Sequence, residues 1–305
     1  MKRTFAFLVL PEIHLMDLAG PDQTILEAID YGAQLEIRYA GLGDAPMTTA
    51  GLQLGSTEPY RNLNLKAGDF LVIPGSKVEY ILSEEFRKQE DLFQWIREQY
   101  EKGVQLVTIC AGAFVLGLCG LLTNRRCTTH FKRTSQLQQV FPKAQVQENL
   151  LFVEDNGIFT SAGIASGIDL TLHLLEREYG SYFTHKVARE LVIYNRRDGH
   201  HQQQSVLLQF RNHIHSGIHK VQDVIIEHID KKYGLAELAE IACMSERNFT
   251  RIFRKETGIS VHQFVHSIRK EVALNLSKNP DLSPRQIANK IGLNSERQLQ
   301  RILAE

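Results

Sequence analysis

The feature that most constrains this chain is a nine-residue stretch that occurs twice. Ser245-Glu246-Arg247-Asn248-Phe249-Thr250-Arg251-Ile252-Phe253 returns as Ser295-Glu296-Arg297-Gln298-Leu299-Gln300-Arg301-Ile302-Leu303. Serine, glutamate, both arginines and isoleucine repeat in register, and the apolar positions stay apolar. Each copy opens with a serine able to cap a helix and a glutamate suited to its first turn. Phe249, Ile252 and Phe253 fall at i, i+3 and i+4, which puts them on one face. Arg247, Asn248, Arg251 and Lys255 fall on the other. Ahead of the first copy, Leu235, Leu238, Ala239 and Ala242 mark a short apolar-striped helix that ends at a Cys243-Met244 turn. Ile287-Ala288 take the same place before the second copy, behind a Ser283-Pro284 cap and first-turn pair.

Two short helices around a tight turn, with arginine, amide and lysine on the outer face, suit the DNA major groove. Arginine pairs with guanine edges, asparagine with adenine, and lysine with phosphate. The predicted DNA contacts are Ser245, Arg247, Asn248, Thr250, Arg251 and Lys255 in the first copy, and Ser295, Arg297, Gln298 and Arg301 in the second. Val261 to Ser277 reads as one helix between them, with Phe264, Ile268, Val272 and Leu276 inward. At 1.5 Å per residue it spans roughly 25 Å. A rod of that length sets two recognition helices in successive major grooves, roughly 34 Å apart.

Residues 217–305 resemble the AraC-type double helix-turn-helix domain. The resemblance rests on Leu238-Ala239, Met244-Ser245, Phe249-Thr250-Arg251-Ile252-Phe253, Gly258, Arg269, Ile287-Ala288 and Gly292. Val261 stands where that family usually has proline. The family also continues past its second recognition helix with another helix, whereas this sequence stops at Glu305, so the second motif is expected to be C-terminally truncated.

At 305 residues the chain has room for two domains. Its net charge is zero but unevenly shared. From Gly217 onward there are 14 Lys and Arg against 11 Asp and Glu, net +3, which leaves net −3 on residues 1–216. A basic tail on an acidic body fits a DNA reader joined to something else. Cys110, Cys119, Cys127 and Cys243 form no CxxC, so no zinc site or disulfide framework is expected. Pro11-Glu12 end the first apolar run too early for a signal peptide, and no stretch is long enough to cross a membrane. The expected compartment is the cytoplasm.

The first two thirds alternate strands and helices. Phe5–Leu10, Leu35–Tyr39, Phe70–Ile73 and Gln105–Ile109 read as strands, and Thr48–Gly55 as a hairpin arm. A helix is expected from Asp17-Leu18-Ala19-Gly20-Pro21 onward, another over Ser83–Glu101, and closing helices over Ala165–Tyr179 and Tyr182–Tyr194. Asn156-Gly157 marks a hairpin. The predicted class is α/β, a doubly wound and mostly parallel sheet of flavodoxin-like type, followed by an all-α double helix-turn-helix domain. The expected domains are 1–195 and 217–305. Residues 196–216, within a histidine-rich stretch, read as a polar linker rather than a metal site. Val221–Tyr233 is the helix leading into the second domain.

Val107-Thr108-Ile109-Cys110-Ala111-Gly112-Ala113 places a cysteine at a strand-to-helix turn among small residues. That is the arrangement of a nucleophile elbow. A thiol at a helix N-terminus is expected to be partly ionised. The alternative is a buried structural cysteine, since free cysteine packs like a small hydrophobe.

Residues 1 to about 195 resemble the PfpI-like branch of the class I glutamine amidotransferase-like fold. The carrying segments are Asp17-Leu18-Ala19-Gly20-Pro21, Ile73-Pro74-Gly75, Ile109-Cys110-Ala111-Gly112-Ala113-Phe114, Thr128-Thr129-His130-Phe131 and Thr160-Ser161-Ala162-Gly163-Ile164. With the tail, the whole resembles GlxA-type transcriptional regulators. Hydrolytic and glyoxalase-like members usually follow the elbow cysteine with histidine. Isocyanide-hydratase-like members pair the cysteine with an aspartate matching Asp17 and follow it with a hydroxyl residue. Ala111 departs from both, so no catalysis is expected, although Cys110, Asp17 and His130 are the residues that would carry it. The resemblance implies instead a small-molecule site at Asp17, Gly75, Ser76, Cys110, Ala111 and Ile164, with an amine or amino-acid derivative as effector, no cofactor, and a homodimer on duplex DNA. The alternative reading is a PfpI-like cysteine hydrolase or hydratase with an accessory DNA-binding tail.

Overall fold

The computed structural model describes residues 2–43, 45–193, 197–199, 203, 210–211, 213–277, 279 and 282–304. They form two compact units, Met1–Gln203 and Gln204–Glu305. Of the expected linker 196–216, residues 196, 200–202, 204–209 and 212 lie outside the described residues, as does Tyr194 of the second closing helix.

The strands of the first unit are β1 (Arg3–Leu8), β2 (Leu35–Gly41), β3 (Glu58–Pro59), β4 (Phe70–Ile73), β5 (Gln105–Ile109), β6 (Arg126–Cys127), β7 (Gln145–Val146), β8 (Phe152–Asp155) and β9 (Ile158–Ser161). Its helices are α1 (Leu15–Asp30), α2 (Val78–Ile81), α3 (Glu84–Arg87), α4 (Glu90–Glu101), α5 (Gly112–Leu118), α6 (Thr134–Val140) and α7 (Ala165–Glu190). Seven strands pair in the order β3-β2-β1-β4-β5-β9-β8. Every pairing is parallel except β8 with β9, a hairpin turned by Asn156 and Gly157, both at positive φ. Both faces are buried, as a parallel sheet requires. Phe5, Phe7 and Val9 point to the face that packs on α1 and α7, while Ala6, Leu8 and Leu10 point to the other.

Several elements differ from the sequence reading. The helix expected over 83–101 is two, because Ser83 caps a single turn at Glu84–Arg87 before Glu90–Glu101 begins. The hairpin arm at 48–55 is reduced to isolated bridges, Ile13 with Thr48 and Met47 with Gln53. Segment 165–190 is broken at Gly180, which sits at φ 80, ψ 166, where the sequence reading also divides it.

In the second unit, the helix leading in is Ser216–Glu227, earlier than expected. Leu235–Ile241 and the first recognition helix Glu246–Thr257 follow, then the connecting helix Val261–Leu276, the second lead-in Pro284–Lys290 and the second recognition helix Glu296–Ala304. Phe249, Phe253 and Phe264 are fully buried and meet edge to face, with centroids 5.7 Å apart in each contact. Ala273, Ile287, Ala288, Ile291 and Leu299 form a second, smaller core. Gly292 is required where it stands: its φ is 70°, and a Cβ there would come within 2.3 Å of the Asp230 carbonyl oxygen.

Candidate functional site

The strand order reverses between β1 and β4, and ligands of open parallel sheets sit off the carboxyl ends at such a point. Asp17 lies there in the first turn of α1, Gly75 and Ser76 follow β4, Cys110 follows β5, and Ile164 follows β9. The chain brings these five together, with Ala111.

Cys110 has φ 53°, a conformation that costs a residue with a Cβ. Three contacts hold it. Its N–H donates to the Ser161 carbonyl at 3.0 Å. Its own carbonyl accepts from the buried Thr129 hydroxyl at 2.7 Å. Gly163 presses so close that a Cβ there would lie 2.1 Å from Cys110 Cβ and 2.8 Å from Sγ. Gly75 is pressed equally: a Cβ on it would fall 2.4 Å from Asp17 Oδ2 and 3.1 Å from both Cys110 Cβ and the Ala111 nitrogen.

Asp17 is fully buried and does not cap α1. Its Oδ1 accepts the Ile164 N–H at 2.7 Å, while Oδ2 has no hydrogen-bond partner among the described residues. Ile164 reaches that position at φ 48°, rare for a β-branched residue. Burial pushes the Asp17 carboxyl above its ordinary range, against the pull of the Ile164 N–H. Burial also pushes the Cys110 thiol up, and the Asp17 charge adds to this, outweighing the Ala111 N–H. The partly ionised thiol expected from the sequence is therefore not found. The helix behind it has seven residues, and the desolvated carboxyl in front of it opposes a thiolate.

Ser76 and Ser161 are fully buried, each with a hydroxyl lacking a partner among the described residues. His130 is not joined to Cys110 by any hydrogen bond among the described residues. Its Nδ1 accepts the Lys132 N–H at 3.3 Å, and its ring lies on Phe131. Ala111 offers only backbone. No described group besides Asp17 stands ready to take the thiol proton. Thr129, which clamps the elbow carbonyl, had no role in the sequence reading; its place in the Thr128-Thr129-His130-Phe131 segment is the one signal that pointed to it.

On the second unit, Arg247, Asn248, Thr250, Arg251 and Lys255 are all exposed, as are Arg297, Gln298 and Arg301. Ser245 caps its helix by accepting the Asn248 N–H. Asn248 Oδ1 accepts from Arg251 Nη2 at 2.9 Å, which aligns amide and guanidinium side by side. The second copy differs. Gln298 turns its carbonyl back to accept the Asn294 N–H at 2.8 Å, leaving its amide N–H groups as what it can offer outward. Thr250 donates to the Glu246 carbonyl, so its methyl and acceptor lone pairs remain. No group of three or more His, Cys, Asp or Glu among the described residues is arranged to hold a metal ion.

The DJ-1/PfpI family description matches residues 3–177, and a helix-turn-helix domain description matches residues 238–305. Over 305 residues the chain is 28% identical to the HTH-type transcriptional regulator CdhR of Pseudomonas aeruginosa, covering 97% of this chain and 86% of that protein. Over 181 residues it is 29% identical to an isonitrile hydratase of Pseudomonas putida, covering 59% of this chain and 74% of the hydratase. A solved AraC family transcriptional regulator from Pseudomonas putida matches 62% of this chain and 99% of its own at 20% identity and TM-score 0.52, which shows the fold of the first unit. No helix among the described residues is long and apolar enough to cross a membrane.

The Asp17 carboxyl makes stability depend on pH in a predictable direction. A folded value above the ordinary 3.8 means that the native state holds more protons than the unfolded chain in that interval. Its contribution is complete below 3.8 and is lost as pH climbs through the raised value. Asp17→Asn keeps an acceptor for Ile164 and removes the titration. Denaturant unfolding from pH 3.5 to 7 should show the variant gaining on the parent as pH rises. A constant difference would mean that the carboxyl titrates normally.

Proposed function

Because the chain belongs to the DJ-1/PfpI family and continues into an AraC-type helix-turn-helix domain, we propose that it is a cytoplasmic transcriptional regulator. Its first unit senses a small molecule, and its second reads promoter DNA. The single observation that carries this is the duplicated recognition helix, exposed on its basic face and buried on its apolar face in both copies. Fold alone does not give function, but a pair of such helices has one ordinary use.

The effector class we favour is an amine or amino-acid derivative. Asp17 Oδ2 supports it as a buried acceptor without a partner among the described residues, against the Gly75 backbone. A cation brought to Asp17 would restore the charge that burial suppresses. The first unit also mediates dimerisation in this reading. Leu15, Met16 and Ile164 leave large apolar side chains exposed, by 41%, 51% and 48%, around the Asp17 end of α1. Exposed apolar surface of this kind commonly meets a second copy. Light scattering at micromolar concentration should give a dimer, and a monomer would remove that part.

Duplex DNA binding should weaken steeply between low and physiological salt, as counterion release requires. Arg247→Ala or Arg251→Ala should cost about 1–3 kcal/mol on specific DNA if the arginine reads a guanine. Equal losses on specific and random DNA would reassign it to phosphate contact.

A second reading, a hydratase-like enzyme, is favoured by the Asp17–Cys110 contact and the isonitrile hydratase relative. Against it stand a thiol held protonated and an Ala111 that contributes no side-chain donor. Isocyanides, methylglyoxal and peptides should all fail to turn over. Turnover of any of them that Cys110→Ser abolishes would make the enzyme reading correct.

A further inference from the structure

We propose that Gln203 is the latch through which the Cys110 site reports to the segment joining the two units. The inference rests on reading the first unit as a sensor. Gln203 is the last residue of that unit. Its amide nitrogen faces four oxygens: the Thr129 carbonyl at 2.9 Å, the Leu150 carbonyl at 2.9 Å, the Thr128 hydroxyl at 3.1 Å and the Glu148 carbonyl at 3.4 Å. Its backbone N–H donates to Asn149 Oδ1 at 3.1 Å. Upstream, Arg197 grips the buried Asp169 carboxylate through Nε at 3.1 Å and Nη2 at 2.6 Å. Gly199 lies so close to β8 that a Cβ would stand 2.7 Å from the Phe152 carbonyl oxygen. Residues 197–199 and Gln203, the described part of the exit segment, are thus docked on the sheet domain.

What Gln203 holds is the back of the elbow. The Thr129 carbonyl accepts from Gln203, and the Thr129 hydroxyl donates to the Cys110 carbonyl. One fully buried residue therefore connects the strained elbow peptide to the exit segment. Anything that relaxes φ of Cys110 rotates its carbonyl and breaks or redirects the Thr129 contact. The latch is also built to let go. An amide has two N–H groups, so it serves two of the four oxygens at a time. Among the described residues Gln203 Oε1 is buried with no partner, which lowers the net stability of the docked state.

The test uses a thiol reagent in place of the effector. Cys243 is exposed, so Cys243→Ser serves as background. Because burial leaves little thiolate, methyl methanethiosulfonate is applied in excess at alkaline pH until peptide mapping shows Cys110 occupied; it converts the thiol to a methyl disulfide, releasing methanesulfinate and the thiol proton. Hydrogen exchange of the peptide containing Gln203, read by mass spectrometry, is the measurement. Modification should speed that exchange by about tenfold, the scale of an ordinary allosteric coupling. Gln203→Leu should give the fast exchange without reagent. Thr129→Val keeps the carbonyl for Gln203 and loses the hydroxyl. It should exchange slowly and fail to respond, while Thr129→Ser should respond. Exchange that ignores modification, or a full response in Thr129→Val, would overturn the latch. Neither result bears on DNA binding by the second unit, which is measured separately.

Discussion

The close approach of two glycines to Cys110 is the constraint on which the first unit depends. Gly75 and Gly163 bring two other chain segments close against one left-handed residue. No side chain fits at either place, so the strand ends must converge and the elbow must stay bent. The conformational cost at Cys110 and Ile164 is held by bonds that surround it: Ser161 and Thr129 on the elbow, Asp17 on Ile164. Strain of this sort persists only where the surroundings over-determine it. It sits at the mouth of the parallel sheet, where ligands of such folds bind.

Much of this was legible. The strands β1, β4 and β5 showed as short apolar runs, the β8–β9 hairpin as Asn156-Gly157, and the recognition helices as a repeat. Local sequence carries those signals because local geometry demands them. Asp17, Gly75, Ser76, Cys110, Ala111 and Ile164 came from resemblance, and the fold brings them together. The protonation of Cys110 was not legible, since it follows from how deeply the thiol is buried and from a carboxyl 93 positions earlier in sequence. The Arg197–Asp169 ion pair and the Gln203 socket escaped for the same reason: their partners are 28 to 75 residues away. Ile164 escaped as a strained residue because isoleucine advertises the opposite backbone.

The two recognition helices share a sequence but not a surface. In the first, Asn248 Oδ1 accepts from Arg251 Nη2, which ties the two side chains together. In the second, the residue matching Asn248 is Gln298, one methylene longer, and that length lets it fold back to cap Asn294. In both copies the amide carbonyl is engaged within the protein, so the amide N–H groups and the arginines are what face outward. Preorganised polar groups discriminate better because less ordering is left for the moment of binding.

A buried acid next to a buried thiol could serve chemistry or detection, and the surrounding groups decide which. Turnover needs a thiolate within reach, a group to receive its proton and a donor for the product. Here the thiol keeps its proton, and Asp17 is itself pushed toward protonation by the same burial. The pair is stable in its neutral form and poorly prepared for nucleophilic attack. Detection has the opposite requirement, a ground state that an incoming charge can change. A cation at the mouth would lower the Asp17 value and change the field that the carboxyl exerts on the Cys110 thiol. The Ile164 N–H on one side and the Thr129 hydroxyl on the other are bonded to this pair and to its backbone. A change of charge at one carboxyl would therefore be felt as a change of hydrogen bonding at two peptide groups, one of them on the path to Gln203.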